Sequence, residues 1–258
     1  ARNDSDPQAL AACRASSLAA QRFRMPVGLA LTNDGLLVCI SVDPLAALYK
    51  FATGGSMDKL ATVPVLADYG DGFKQCAVHP QTQRTYAIGE AGQGNHALVI
   101  LDANLQVVTI VEATGDAPED FDDDYEPIRD VAVHGNQVIV LTNDIHANRS
   151  GLRLLDLDGR FIRTIAAGQF RNPHAVTASH GRAFVVDDDD AYTYDEEDGM
   201  VLGKVLLVID IQSGDIVQRV RVDLDGGVGG ILVEGNELYI ADYDDSRIVV
   251  LQLAGSEA

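Results

Sequence analysis

Short apolar runs, some alternating with polar residues and some continuous, recur along the chain between clusters of Gly, Asn, Asp and Ser. Period-two alternation predicts half-buried strands, and short continuous apolar runs predict strands covered on both faces. Near the C-terminus the order is Gly230-Ile-Leu-Val-Glu-Gly-Asn, then Glu237-Leu-Tyr-Ile-Ala-Asp, then Ser246-Arg-Ile-Val-Val-Leu. That is a strand, a turn, a strand, an Asp-rich connection and a strand. The same order recurs upstream. Val131-Ala-Val-His-Gly-Asn precedes Val138-Ile-Val-Leu, Leu152-Arg-Leu-Leu-Asp and Phe161-Ile-Arg-Thr-Ile. Val176-Thr-Ala-Ser-His-Gly precedes Ala183-Phe-Val-Val-Asp, Val205-Leu-Leu-Val-Ile-Asp and Ile216-Val-Gln-Arg-Val. Two further copies start at Leu29 and Cys76.

The first strands therefore start near 29, 76, 131, 176 and 231. Four-stranded antiparallel units at a period of roughly 50 residues predict an all-β, five-bladed β-propeller. As a single domain, its blades fall at about 23–65, 66–113, 114–168, 169–222 and 223–253. The last copy runs out after Leu253, one strand short. Leu18-Ala-Ala-Gln-Arg-Phe-Arg-Met-Pro parallels Ile165-Ala-Ala-Gly-Gln-Phe-Arg-Asn-Pro, an outer strand and its exit. Residues 15–22 are thus expected to close the last blade, which would leave no open edge. The alanines of 8–21 also suit a short helix, the competing reading.

Tyr239-Ile-Ala-Asp-Tyr-Asp-Asp-Ser-Arg-Ile-Val-Val-Leu resembles the second strand, Asp-rich turn and third strand of NHL-type propeller repeats. The likeness is good over 230–253, looser over 125–222 and weak over 27–110. It implies an architecture and no chemistry. NHL-like rings are commonly six-bladed and five copies are present here, so that family's site residues do not carry over.

Charge narrows the partners. The 39 acids outnumber the 19 bases, for a formal net charge of −20. That excludes binding nucleic acid through its phosphates, or docking on an anionic membrane. No apolar run is long enough to span a bilayer as a helix. Cys13, Cys39 and Cys76 exclude a disulfide scaffold; a Cys39–Cys76 bridge stays open beside two buried thiols. A start at Ala1 and the Asp-rich, Lys-poor surface lead to the expectation of a secreted or periplasmic monomer. Its ligand would be a small molecule, a glycan or a protein.

A ligand is expected where the long connections gather, at 66–73, 114–127, 142–150, 187–203 and 242–246. At that end Val27, Lys74, Arg129, His174 and Gly229 stand just before the inner strands, followed by Gly28, Gln75, Asp130, Ala175 and Gly230. Lys74, Arg129 and His174 reverse the local sign of an acidic chain. They could hold a carboxylate or phosphate, or pair with neighbouring acids and plug the axis. Tyr192 and Tyr194 could stack on a ligand or staple their own loop. Asp187, Asp188, Asp242 and Asp244 are crowded oxygen donors of the kind Ca²⁺ takes, and could equally form a solvated rim.

Two functions compete, beside a third reading as a protein-interaction platform that uses the blade edges. One is a ligand-binding propeller with a calcium-stabilised acidic face around a basic axial pocket. The other is a metal-assisted hydrolase or lyase acting on an anionic ester, phosphate or sugar, with His174, Arg129 and Asp130 as its catalytic candidates. Lactonase-type propellers need axial Glu, Asn and Asp, and Asp130 is the lone acid among the ten positions above. Amidating lyases need several axial histidines, and only His174 matches. No Gly-x-Ser-x-Gly elbow surrounds Ser41, Ser150 or Ser246.

Overall fold

The computed structural model describes residues 26–40, 47–52, 59–64, 72–91, 95–112, 128–143, 150–195, 199–224, 227–242 and 245–253. These form five antiparallel sheets, the blades of an all-β, five-bladed β-propeller. Contacts divide the chain into two compact units, Ala1–Tyr125 and Glu126–Ala258.

The first unit holds two sheets, each a meander in chain order. One contains β1 (Pro26–Leu31), β2 (Gly35–Ile40), β3 (Ala47–Ala52) and β4 (Lys59–Pro64). The other contains β5 (Gly72–Val78), β6 (Thr85–Ala91), β7 (Asn95–Leu101) and β8 (Val107–Glu112). Leu37, Cys39 and Leu48 of one pack with Phe73, Cys76, Ala87, Val99 and Leu101 of the other. Both cysteines sit in this core as free thiols, so the bridge left open by the sequence is not made. Cys13 lies outside the described residues.

The second unit holds three sheets. They are β9 (Ile128–His134), β10 (Gln137–Thr142), β11 (Gly151–Asp156) and β12 (Phe161–Ile165); then β13 (Ala175–Ser179), β14 (Arg182–Asp195), β15 (Gly199–Asp210) and β16 (Ile216–Val222); then β17 (Val228–Glu234), β18 (Glu237–Asp242) and β19 (Arg247–Gln252). Middle strands are the continuous apolar runs. Val138, Ile139, Val140 and Leu141 are all buried, and Ile139 and Leu141 pack with Val176, Val185 and Leu207 of the following sheet. Outer strands such as β12 are largely exposed, and β12 is buried only at Ile165.

The repeat is also written in its irregularities. The inner strand carries an extra residue near its start in four sheets: at Val27, within Lys74-Gln75, at Arg129 and at Gly229. Outer strands carry one too, at Leu60, Val108, Ile162 and Val217. A bulge strengthens local twist and blunts an edge against further pairing. Val108, Ile162 and Val217 are exposed there, which explains apolar residues on the wet rim. Asp102, Asp156 and Asp210 end successive third strands, and each accepts backbone N–H bonds from the turn that follows. Part of the acidic composition is therefore turn chemistry.

Two expectations change. Residues 187–203, read as a loop, are mostly the arms of a long β14–β15 hairpin. Tyr192, Thr193 and Tyr194 lie on β14, and their backbones pair with Leu202, Val201 and Met200. Val27, Lys74, Arg129 and Gly229 lie inside the inner strands, at their bulges, and not before them. The closing strand at 15–22 falls outside the described residues. The fifth sheet has three described strands, and its outermost, β19, exposes Ile248 and Val250.

Gly28 shows how close neighbouring inner strands come. A Cβ there would stand 2.7 Å from Lys74 O and 2.9 Å from Gln75 Cα. Both are backbone atoms, so the obstacle cannot rotate away. Gly28→Ala is expected to destabilise the fold by about 1–3 kcal/mol, read as a lower melting temperature.

Candidate functional site

The most developed polar assembly among the described residues belongs to the second unit, where β10, β14 and β15 leave their sheets. Thr142, Asp187 and Asp242 occupy equivalent positions, at the ends of β10 and β18 and within β14, and all three are buried. Each answers a local need. Thr142 Oγ1 donates to Gly151 O (3.1 Å). Asp187 accepts the backbone N–H groups of Arg171 (2.9 Å), Asn172 (2.7 Å) and Asp188 (2.9 Å), and so fixes the entry to β13. Asp242 accepts from Arg247 Nε (2.9 Å). Burial pushes the Asp187 carboxyl up, against those three donors, and the charge of Asp188 adds to the rise.

One residue further on, Asn143 and Asp188 are again equivalent, and Asn172 joins them. Asn143 Nδ2 donates to Asn172 Oδ1 (2.9 Å), and Asn172 Nδ2 donates to Asp188 Oδ2 (3.0 Å). The other Asp188 oxygen is the hub: His174 Nε2 and Lys204 Nζ both reach Oδ1, at 2.7 Å each. Burial opposes ionisation of Asp188, but the bonds from His174, Lys204 and Asn172 outweigh it and hold the carboxyl well below the usual range. An ionised carboxylate only accepts, so the His174 tautomer that fits carries its proton on Nε2. The Asp188 side chain keeps 4% of its exposure and Lys204 10%, while His174 keeps 20%. His174 is thus the member of the hub that water reaches most easily.

Asp130 is a clasp. Its Oδ1 accepts from its own strand at Val131 N (2.7 Å), and its Oδ2 from Val176 N on β13 (2.8 Å). Enclosure pushes its carboxyl up to about 7, against both donors. Further bonds join the same two sheets. Gly181 N donates to His134 Nε2 (3.1 Å), and Arg163 donates to the carbonyls of Ile211 and Gln212. The clasp sets Arg129 and His174 at the starts of neighbouring inner strands, because Asp130 follows Arg129 and Val176 stands two residues after His174.

The expected site residues therefore divide. His174 and Asp188 meet directly. Arg129 stands at the β9 bulge, half-buried, and Asp130 is enclosed beside it. Lys74 occupies the matching bulge of β5, in the first unit. Tyr192 and Tyr194 lie on β14, with side chains outside the described residues. Asp244 is outside them too. Asp187, Asp188 and Asp242 are spoken for by N–H groups or cations, and among the described residues no three His, Cys, Asp or Glu side chains cluster closely enough to hold a metal. Ser150 is buried, with its Oγ 3.4 Å from Asn143 Oδ1. Lys204, Asn172 and Asn143 were missed by the sequence reading. Lys204 is the cross-strand partner of Asp188, a pairing legible only once 187–203 is seen as a hairpin.

No protein-family model matches the chain, and no curated protein matches it. Solved structures do. Nidogen in its laminin complex matches with a TM-score of 0.61 at 11% identity, over 89% of this chain and 76% of that one. The PQQ-bound aldose sugar dehydrogenase of Streptomyces coelicolor gives 0.60 at 16% identity, over 92% and 79%. Hydrazine synthase of Kuenenia stuttgartiensis gives 0.58 at 15% identity, over 89% of this chain and 65% of that one. At such identities the likeness shows a fold: the chain is built as a β-propeller, the architecture these proteins share with it.

Proposed function

We propose that the protein is a ligand-binding β-propeller that holds a small anion, a carboxylate or phosphate, at the start of β9 and β13 without turnover. The observation that carries this reading is the convergence of His174 and Lys204 on Asp188 Oδ1, which orders a lysine ammonium and a histidine N–H donor beside a partly exposed edge. Arg129, at the neighbouring strand entry, adds a charge whose sign is opposite to that of the −20 chain. Binding is favoured over hydrolysis because Asp130 is enclosed, Ser150 is buried, and Asp188 is tied to Lys204 and His174. None of these is placed to attack a substrate.

One geometry supports the alternative, a hydrolase or lyase. A carboxylate 2.7 Å from a histidine nitrogen orients that ring as a general base would need. The experiment separates the two. Calorimetric titration with inorganic phosphate and with citrate is expected to show saturable binding of one or both. Arg129→Gln and His174→Ala are each expected to weaken it about tenfold, a change of about 1.4 kcal/mol. Unchanged binding in both variants defeats the reading. Hydrolysis of p-nitrophenyl phosphate or acetate above the buffer rate, lost in His174→Ala, replaces it with the enzyme. Chelation tests the calcium component: a lowered melting temperature adds the ion to the binding face, and an unchanged one removes it.

A further inference from the structure

The turns at the opposite end of the second unit frame a different feature. A cleft of about 410 Å³ opens between the β13–β16 sheet and the β17–β19 sheet. Phe184, Leu206, Val208, Val220, Leu251 and Leu253 give it an apolar wall. His180, Arg182, Gln218, Asn236 and Gln252 stand around it. Its volume lies within the range of small-molecule sites, about 300–1,000 Å³.

The repeat explains why the cleft exists. Leu253 N donates to Asn236 O (2.8 Å) as Ile211 N donates to Gly181 O (3.0 Å), so Leu253 is the counterpart of Ile211 one sheet earlier. The outer-strand bulges align Ile162 with Val217, so Gln218 is the counterpart of Arg163. Between the β9–β12 and β13–β16 sheets this space is filled. Arg163 Nη2 donates to Ile211 O and Gln212 O at 2.6 Å each, and Ile165 lies where a Cβ on Gly214 would come within 3.0 Å of it. A glutamine is too short to repeat that bridge, so at the next interface the same space stays open among the described residues.

Charge then selects the occupant. The lining contains no Asp or Glu, although acids outnumber bases 39 to 19 in the chain; its ionisable members are Arg182 and His180. Asp210, the strand partner of Arg182, accepts from Ser213 N (2.8 Å) and is also stabilised by the Arg182 charge, and Glu237 accepts from Gln252 Nε2 (2.7 Å). We propose that this cleft is a second ligand site, for a small amphipathic carboxylate. Its apolar body would lie against Phe184, Leu206, Val208 and Leu251. Its carboxylate would meet Arg182, with amide donors from Gln218 and Asn236.

The probe is decanoate, followed by calorimetry. One saturable site is expected, with decanol binding at least tenfold more weakly. Gln218→Arg restores the filling seen one sheet earlier and is expected to abolish binding while leaving the melting temperature at or above that of the parent. Gln218→Glu is nearly isosteric and places a negative charge in the cleft; at least a tenfold loss is expected without a change in fold. It decides the matter should Gln218→Arg fail to fold. Arg182→Ala is expected to weaken binding several-fold, and His174→Ala to leave it unchanged, which separates this site from the anion site at the other end. No saturable binding to the parent, or equal binding by Gln218→Glu, overturns the proposal.

Discussion

Asp130→Asn is expected to flatten a pH dependence that costs the parent protein about 3 kcal/mol between pH 4 and pH 7. The Asp130 carboxyl rises from 3.8 to about 7 on folding, close to three units at about 1.4 kcal/mol each. A carboxyl raised by folding binds its proton more tightly in the native state. Its favourable contribution is complete below pH 3.8 and is lost as the pH climbs through about 7. Asparagine does not titrate. Its NH₂ group would face one of the two backbone donors, Val131 N or Val176 N, so the variant loses an acceptor and about 1–2 kcal/mol at low pH. Urea denaturation across pH 4–8 should therefore show the variant less stable at pH 4, with the two curves crossing between about pH 5 and 6 and the variant the more stable at neutrality. Asp187 titrates with the same sign and Asp188 with the opposite one, but both are common to the two proteins and cancel in the difference. Parallel curves would mean that Asp130 keeps its proton equilibrium unchanged on folding.

The fold was legible because its periodicity is local. Each strand announces itself through five or six residues, and each turn through Gly, Asn or Asp, so five inner strands could be placed to within a few residues: expected at 29, 76, 131, 176 and 231, they begin at 26, 72, 128, 175 and 228. Bulges were not legible. An extra residue in a strand depends on what its partner does, and Val27, Arg129 and Gly229 share no side-chain character. The NHL likeness described a strand–turn–strand pattern that many propellers satisfy, and no family model matches.

The site was half legible. His174 and Arg129 stand out because cations are scarce in this chain, and the Asp187-Asp188 pair because its charge interrupts an apolar run. What those carboxylates do was hidden. In sequence an Asp pair is equally a cation ligand, a wet surface or an acceptor for N–H groups. In the structure both accept N–H groups: Asp187 caps the backbone entering β13, and Asp188 gathers His174, Lys204 and Asn172. Asn143 and Asn172 carry no charge and sit in unpatterned segments, so nothing in composition marks them. Their meaning comes from the equivalence of Asn143 and Asp188 in adjacent sheets, which needs the register of both.

Asp188→Ala is expected to be the most damaging substitution at that site, at about 3–5 kcal/mol, because it strands a buried lysine and removes the acceptor of two further donors. Lys204 keeps 10% of its side-chain exposure, too little for water to replace the lost carboxylate cheaply. Burial alone does not make the pair stabilising, since its members pay for desolvation before they attract one another. A double-mutant cycle separates the two effects. If the cost is mainly the stranded charge, Lys204→Met in the Asp188→Ala background should recover about 2 kcal/mol, whereas Lys204→Met alone should destabilise. The acid limb gives an independent reading. Asp188 is held well below its ordinary value, so its contribution is present above pH 3.8 and is lost as the pH falls through the lower folded value. Asp188→Asn should remove that limb while keeping the side-chain shape. An acid limb unchanged in Asp188→Asn, together with no recovery from the second substitution, would show that His174 and Lys204 are held by the strands that carry them and not by the carboxylate between them. The ordering of the anion site would then have to be sought in the backbone of β13 and β15.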